Sequence, residues 1–361
     1  MYMSQVDHLR PKDSGIRIVD PHTVKIRHND ERHTENILPN YLLVFYDQSY
    51  IEKNDMNWTL ENMPDLTGKV IAVTGGNSGL GYESVKAFAS KGAEVVLASR
   101  TLEKGEAAKS EILKTVPEGK ISVMQLELGD LGSVREFATA LKKACTRLDV
   151  LLNNAGIMMT PYFTTKDGFE GQFGTNHLGH FALTGLLMDL LLRTPGSRVV
   201  NVSSGAHRNG VMDFNNLQYE QGEGYTPTKA YGRSKLSNLL FTYELQRKLE
   251  ASGKDTIAVA AHPGVAMTNL ARHLQDRLLF KVLKPVFKWM TQDQAMGALP
   301  QIRASVDPGV LGGQYYGPDG RRELKGYPVV VPSNDASHNS EDASRLWEES
   351  ERLTGVKFEW E

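Results

Sequence analysis

From Leu66 onward the chain alternates between short runs of apolar, β-branched residues and longer stretches whose apolar positions recur at helical spacing. VIAVT from Val70, EVVLAS from Glu94, ISVMQLEL from Ile121, DVLLNN from Asp149, RVVNVSS from Arg198 and TIAVAAH from Thr256 read as strands. One more is expected near GQYYG or YPVVVP. Between them YESVKAFASKG, SVREFATALKKA and TPTKAYGRSKLSNLLFTYELQRKL read as helices, and in the last Leu236, Leu239, Leu240 and Tyr243 form an apolar stripe. Strands without polar alternation need cover on both faces. The pattern predicts an α/β fold in three layers, a doubly wound parallel sheet of about seven strands, as a single domain over residues 56–335. The polar tract PSNDASHNSEDASRLWEESERL then leads into a C-terminal helix and tail at 336–361, whose Trp347 is expected to pack back on the body.

Residues 1–55 do not share this rhythm. GIRIV, TVKIR and YLLVFY are candidate short strands, and the segment reads as a partly ordered extension or appendage. YLLVFY is far too short to span a bilayer, which takes about 20 residues, and it follows too many charges to read as a secretion signal. His8, His22, His28 and His33 fall here; His28 and His33 are five apart, off a common helical face, so no metal is expected. MNWTLENMPDLTGKV from Met56 would itself make a protein start, and deletion of residues 1–55 is expected to leave a folded, active protein.

Composition sharpens the division. Of 33 glycines only Gly15 precedes residue 68. With 41 basic and 43 acidic residues the net charge of -2 gives no reason to expect a nucleic-acid partner. The single cysteine, Cys145, excludes an intramolecular disulfide and a multi-thiolate metal site, which fits a reducing, cytoplasmic setting without an integral membrane segment.

VIAVT runs directly into TGGNSGLG, with a helix after it. Glycines at the start of a helix let a pyrophosphate approach unpaired backbone N–H groups. Thr74, Gly75, Asn77, Ser78, Gly79, Leu80 and Gly81 are therefore cofactor candidates in a Rossmann-like domain. The spacing is neither GxGxxG nor that of a P-loop. An acid that binds the adenosine ribose is expected about 20 residues later; here Ser99 stands at that position and Arg100 follows. A carboxylate would repel a 2′-phosphate and a guanidinium would bind it, so NADP(H) is favoured and NAD(H) remains open. Asp130 and Leu131 are candidates to receive the adenine, and Asn153, Ala155 and Gly156 of NNAG to admit the cofactor closely.

Tyr231 and Lys235 are four apart, on one helical face. A tyrosine can pass a proton to an alkoxide, and a neighbouring ammonium favours its phenolate. Ser204 ends a strand, where its hydroxyl can aim at a carbonyl oxygen. Asn176 is an amide in a buried helix that needs a partner, and it can hold a water in a proton path from Lys235. His177 and His180, three apart, lack a third metal ligand. After TIAVAAH, Pro263 and Gly264 make a sharp exit at the cofactor; Thr268 is a candidate for the pyrophosphate or the nicotinamide carboxamide, and the backbone at Val265 for the same carboxamide.

Taken together, TGxxxGxG, NNAG, the NVSS serine and YxxxK, in that order, resemble the short-chain dehydrogenase/reductase family, in the branch akin to retinol dehydrogenases and WW-domain oxidoreductases. The resemblance covers about Leu66 to Val331. It implies that Asn176, Ser204, Tyr231 and Lys235 form a catalytic tetrad with Tyr231 as acid or base, that Arg100 belongs with NADP(H), that Asn153 and Thr268 line the cofactor, and that the chain forms homodimers or homotetramers. Ser204 and Tyr231 are 27 apart, wider than the family's usual spacing, because of an insertion resembling that of the retinol-dehydrogenase-like members. Residues 1–55 resemble neither their membrane anchor nor a WW domain, so retinoid chemistry is not the default expectation. The loops 205–230 and 265–295 are expected to select a small-to-medium lipophilic carbonyl compound or alcohol. Within the second, RHLQDRLLFKVLKPVFKWM reads as a substrate lid in preference to an amphipathic membrane contact. The rival readings are a dinucleotide-sensing scaffold with a dormant redox site, and dehydration or epimerisation on the same sheet.

Overall fold

The computed structural model describes residues 57–265 and 292–360. The N-terminal extension, Thr268 and the apolar, basic segment after it lie outside them. The strands are β1 (Val70–Thr74), β2 (Glu94–Ser99), β3 (Lys120–Gln125), β4 (Val150–Asn153), β5 (Arg198–Val202), β6 (Ile257–Ala261), β7 (Tyr315–Pro318) and β8 (Pro328–Val330). They form one sheet in the order β3-β2-β1-β4-β5-β6-β7-β8. Pairing is parallel from β3 to β7, and β8 joins antiparallel. Both GQYYG and YPVVVP thus supply strands, and the sheet has eight where about seven, all parallel, were expected. Connection length explains the difference. A parallel crossover takes a dozen or more residues, whereas the connection 319–327 is only long enough to fold back as a hairpin.

The helices are α1 (Gly79–Ser90), α2 (Leu102–Thr115), α3 (Leu131–Ala144), α4, α5 (Met188–Leu192), α6 (Pro227–Ala251), α7 (Gln294–Val306) and α8 (Ser340–Thr354). Helix α4 runs through three consecutive pieces, Gly171–Phe173, Gly174–Leu178 and Gly179–Leu186, the middle one with π winding. Alternation along the strands sorts the core into two layers. Ile71, Val73, Val95 and Leu97 pack with Val85 and Phe88 of α1 and Ile302 of α7. Ala72, Val96 and Leu151 pack on the other face with Leu141 of α3, Phe181 of α4 and Phe241 of α6.

Trp347 does return to the body. Its ring lies 5.2 Å from Phe181 and 4.5 Å from Phe358 of the tail, so α8 closes over α4 and α6. Asn339 caps α8 by accepting from the N–H groups of Glu341 and Asp342, and Gly355 ends it in the left-handed conformation. Among the described residues no helix is long and apolar enough to cross a membrane. Strand order reverses between β1 and β4, and a crevice at that point, beyond the carboxyl ends of the strands, is where an open α/β sheet binds its ligand.

Candidate active site

The turn after β1 sits at this reversal. Gly75 and Gly79 have φ of +67° and +59°, a conformation side chains rarely adopt. Ser78 stands at the N-cap of α1, yet its side chain makes no capping bond and the first turn holds no acidic residue. The leading N–H groups therefore have no capping side chain of their own. A Cβ on Gly81 would lie 2.4 Å from Gly75 O and 2.6 Å from Asn154 Nδ2, so the helix start can approach the turn only as glycine. Uncapped donors at a helix start behind a glycine cradle fit a pyrophosphate.

Two braces hold this turn, neither legible as a motif. Thr74 Oγ1, buried, accepts from the N–H groups of Asn154 and Ala155 at 2.9 Å each, and lies 2.9 Å from His180 Nε2. His180 Nδ1 lies 3.0 Å from the Asn176 carbonyl, which can only accept. Nδ1 therefore carries the proton and Nε2 accepts from the Thr74 hydroxyl. Burial pushes the imidazole down to about 4, which keeps it neutral in this role. In the second brace Gln301 of α7 donates to Asn154 Oδ1 at 3.0 Å and to Ser84 Oγ of α1 at 2.8 Å. Asn154 in turn donates to Thr74 O at 2.7 Å.

The NNAG residues also tie strands together. Asn153 Nδ2 donates to Asn201 Oδ1 on β5 and to Thr184 Oγ1 on α4, and Asn201 donates onward to Thr242 of α6. Asn153 is thus placed inside the sheet-to-helix network, while Ala155 and Gly156 remain half-buried at the crevice.

At the adenosine end, Ser99 is buried and its hydroxyl donates to Thr101 O. The Arg100 side chain is 71% exposed, with Nε 3.7 Å from Glu127 Oε2, which leaves most of the guanidinium open to an anionic ligand. Asp130, expected to meet the adenine, has other duties. It caps α3 by accepting from the N–H groups of Gly132 and Ser133, and it pairs with Lys166 at 2.6 Å. The Lys166 ammonium is the main influence holding the Asp130 carboxyl below its usual range. Leu131 follows at the start of α3, its N–H donating to Asp167.

Ser204, Tyr231, Lys235 and Asn176 converge from β5, α6 and α4. Ser204 stands near enough to the Tyr231 phenol to influence it, and its Oγ accepts from Ala206 N. Burial pushes the phenol up, where the neighbouring ammonium was expected to lower it, and Ser204 partly opposes the rise. The Lys235 ammonium lies 5.8 Å from the centre of the Tyr231 ring and donates to Val202 O at 2.9 Å. Burial pulls it down to about 8. Asn176 stands in the π-wound stretch of α4; its amide donates to Ile157 O and Ser234 Oγ, and Oδ1 accepts from Ile157 N. A Cβ on Gly156 would lie 3.1 Å from Asn176 Oδ1 and 3.6 Å from Lys235 Nζ, so these two side chains meet beside that glycine. Since the Asn176 Nδ2 donors are both engaged, a water linking it to Lys235 would have to donate to Oδ1 or bind the main chain.

The exit from β6 is held more tightly than expected. Val265 N donates to Leu324 O and Val265 O accepts from Gln292 N, so both backbone groups proposed for a carboxamide already have partners. Pro263 O accepts from Gln292 Nε2, and Gly264 N donates to His262 Nδ1.

Comparison with known proteins gives the family and the fold. The short chain dehydrogenase family matches residues 69–278. The chain is 39% identical over 297 residues to retinol dehydrogenase 13 of Homo sapiens, covering 81% of this chain and 86% of that protein. It is 40% identical over 297 residues to human retinol dehydrogenase 12, covering 81% and 89% respectively. Among solved structures, an uncharacterised protein from Mycobacterium paratuberculosis superposes with a TM-score of 0.69 at 39% identity, covering 84% of this chain and all of that one. The Pseudomonas aeruginosa RhlG/NADP complex shares the fold, with a TM-score of 0.56 at 22% identity over 70% of this chain and 94% of that one.

Proposed function

The chain belongs to the short-chain dehydrogenase family, in its retinol-dehydrogenase-like branch, as an NAD(P)-dependent oxidoreductase of alcohols and carbonyls, and from that premise we propose how its own residues act. It interconverts a lipophilic alcohol and its carbonyl compound with NADP(H), and Tyr231 is the acid or base. The observation that carries this reading is the convergence of three side chains: the buried Lys235 ammonium lies 5.8 Å from the centre of the Tyr231 ring and meets Asn176 beside Gly156.

Residues that would hold the cofactor run from its adenosine end to its nicotinamide ribose. Gly75 to Gly81 and the uncapped start of α1 hold the pyrophosphate, and Arg100 holds a 2′-phosphate, for which Ser99 leaves no opposing carboxylate. Lys235 holds the nicotinamide ribose. When bound, the nicotinamide supplies or accepts the hydride.

The chain's own part is the proton. Burial keeps Tyr231 protonated at neutral pH, which makes it a donor to a developing alkoxide. Ser204 fixes the carbonyl oxygen next to that phenol. Lys235 stabilises the phenolate left behind, and Asn176 holds the strand exit at Ile157 and the α6 residue Ser234 in place beside it.

The retinol dehydrogenases among the relatives, by their names, act on a lipophilic alcohol, and an apolar alcohol or aldehyde is the class proposed for this chain. The test is a panel of ketones, aldehydes and alcohols, retinal included, run with NADPH or NADP and with NADH or NAD in parallel. Turnover of apolar members with the phosphorylated cofactor is expected; cofactor binding without turnover of any member would favour the sensing scaffold.

A further inference from the structure

The loop that connects β7 to β8 bends over the site from the far edge of the sheet and sends one carboxylate inward. Arg322 and Glu323 have φ of +56° and +55°, two successive non-glycine residues in the left-handed region. Such backbone persists only where its surroundings hold it. Glu323 meets two side chains. Arg208 Nη2 donates to both of its carboxylate oxygens, at 2.8 and 2.9 Å, and His262 Nε2 lies 3.0 Å from Oε2 without hydrogen-bond alignment. Burial raises the Glu323 carboxyl, but His262 and Arg208 together outweigh it and hold it down to about 2.

The two partners stand on the two loops that frame the reaction. Arg208 is on the 3-10 turn Gly205–Asn209, whose N-cap is Ser204. His262 opens the Pro263–Gly264 exit and, being buried, touches Glu323 from beneath while its Nδ1 accepts from Gly264 N. A Cβ on Gly317 would lie 2.1 Å from His262 Nε2, so the imidazole reaches Glu323 only over a glycine. The next residue of the same loop continues the grip, since Leu324 O accepts from Val265 N.

We propose that Glu323 is a positioning residue that locks the Ser204 turn to the Pro263–Gly264 exit, fixing the catalytic serine relative to the nicotinamide end of the site. The inference rests on the reading of Ser204 and the β6 exit given above. Glu323 touches neither reacting atoms nor the pyrophosphate turn, so its loss acts on the chemical step. The adenosine and pyrophosphate contacts, which supply affinity for NADPH, are left intact.

The test uses Glu323→Gln and Arg208→Met, singly and together, in the full chain. Glu323→Gln is expected to lower kcat by about 10- to 100-fold, the scale for misplacing a reacting group, while the NADPH Kd, followed by fluorescence titration, stays within about 3-fold. Arg208→Met should fall similarly, and the double variant should fall no further than either single one. Amide exchange should rise at Ala206, His207, Gly264 and Val265 and nowhere else. Unchanged kcat and exchange in Glu323→Gln would overturn the proposal. So would a rise in exchange across the whole sheet with kcat falling only in step with the folded fraction, which is what a purely structural role gives. If the wild-type protein turns over no carbonyl compound, the reading of its activity fails, and the local exchange pattern still decides whether Glu323 couples the two loops.

Discussion

Thr74 and His180 meet through a 2.9 Å hydrogen bond that joins the last residue of β1 to the helix carrying Asn176. Since His180 Nδ1 also donates to the Asn176 carbonyl, the cofactor turn and the catalytic helix share one buried imidazole. The cofactor turn and the proton machinery are therefore parts of one hydrogen-bonded unit.

Thr74→Val keeps the volume and removes the hydroxyl. It leaves the N–H groups of Asn154 and Ala155 and the ring nitrogen of His180 without their partner. Thermal or denaturant unfolding should show a loss of roughly 1–3 kcal/mol, with a raised KM for NADPH, and Thr74→Ser should recover most of both. Stability of Thr74→Val equal to wild type would remove this brace from the account.

Lys235 sets a pH limit on carbonyl reduction. Burial holds its pKa at about 8, below the ordinary lysine range, so the ammonium is present below that pH and lost above it. In the reduction direction kcat/KM should be level up to about 8 and then fall with rising pH. The stability linkage runs the other way. Between about 8 and the ordinary lysine value the unfolded chain holds the proton that the folded chain has released, so this group's contribution to stability rises with pH. A reduction profile that is flat beyond pH 9, or roughly so, would contradict the assignment.

Arg100→Leu removes the guanidinium proposed for the 2′-phosphate. A charge-assisted bond is worth roughly 1.5–3 kcal/mol, so the NADPH Kd should rise about 10- to 100-fold while the NADH Kd stays level. Glu127→Gln should move the ratio slightly the other way, because Glu127 Oε2 stands 3.7 Å from Arg100 Nε and competes for it. Equal losses for both cofactors in Arg100→Leu would show that the arginine reads no phosphate.

Trp347→Ala opens the interface between α8 and the body, where the indole meets Phe181, Phe241 and Phe358. A buried aromatic truncated to alanine costs about 3–5 kcal/mol. A large fall in Tm is expected, and a shift of only a degree or two would mean that α8 adds little to the core.

Periodicity and short motifs made much of this molecule legible. Continuous apolar runs gave the parallel strands, and TGGNSGLG, NNAG and the Tyr231–Lys235 pair pointed to one crevice because each is a local pattern. What escaped was long-range and aperiodic. Gln301 braces Asn154 from 147 residues away, and Arg208 holds Glu323 across 115 residues, with no spacing to announce either contact. The π winding around Asn176 escaped as well, because hydropathy does not distinguish it from α winding. The helix cap and the Lys166 pair at Asp130 escaped too, because the partner lies 36 residues away. The antiparallel β8 escaped because its apolar run looks like a buried parallel strand; only the short hairpin connection sets its direction.

The central claim is that the Tyr231 phenol transfers the proton. Single-turnover oxidation of NADPH by Tyr231→Phe, with an apolar aldehyde that the wild-type protein reduces, tests it most directly. The account expects a rate lower by about 100- to 10,000-fold, with unchanged Tm and NADPH affinity. A variant that folds, binds NADPH and reduces the aldehyde at the wild-type rate would contradict it.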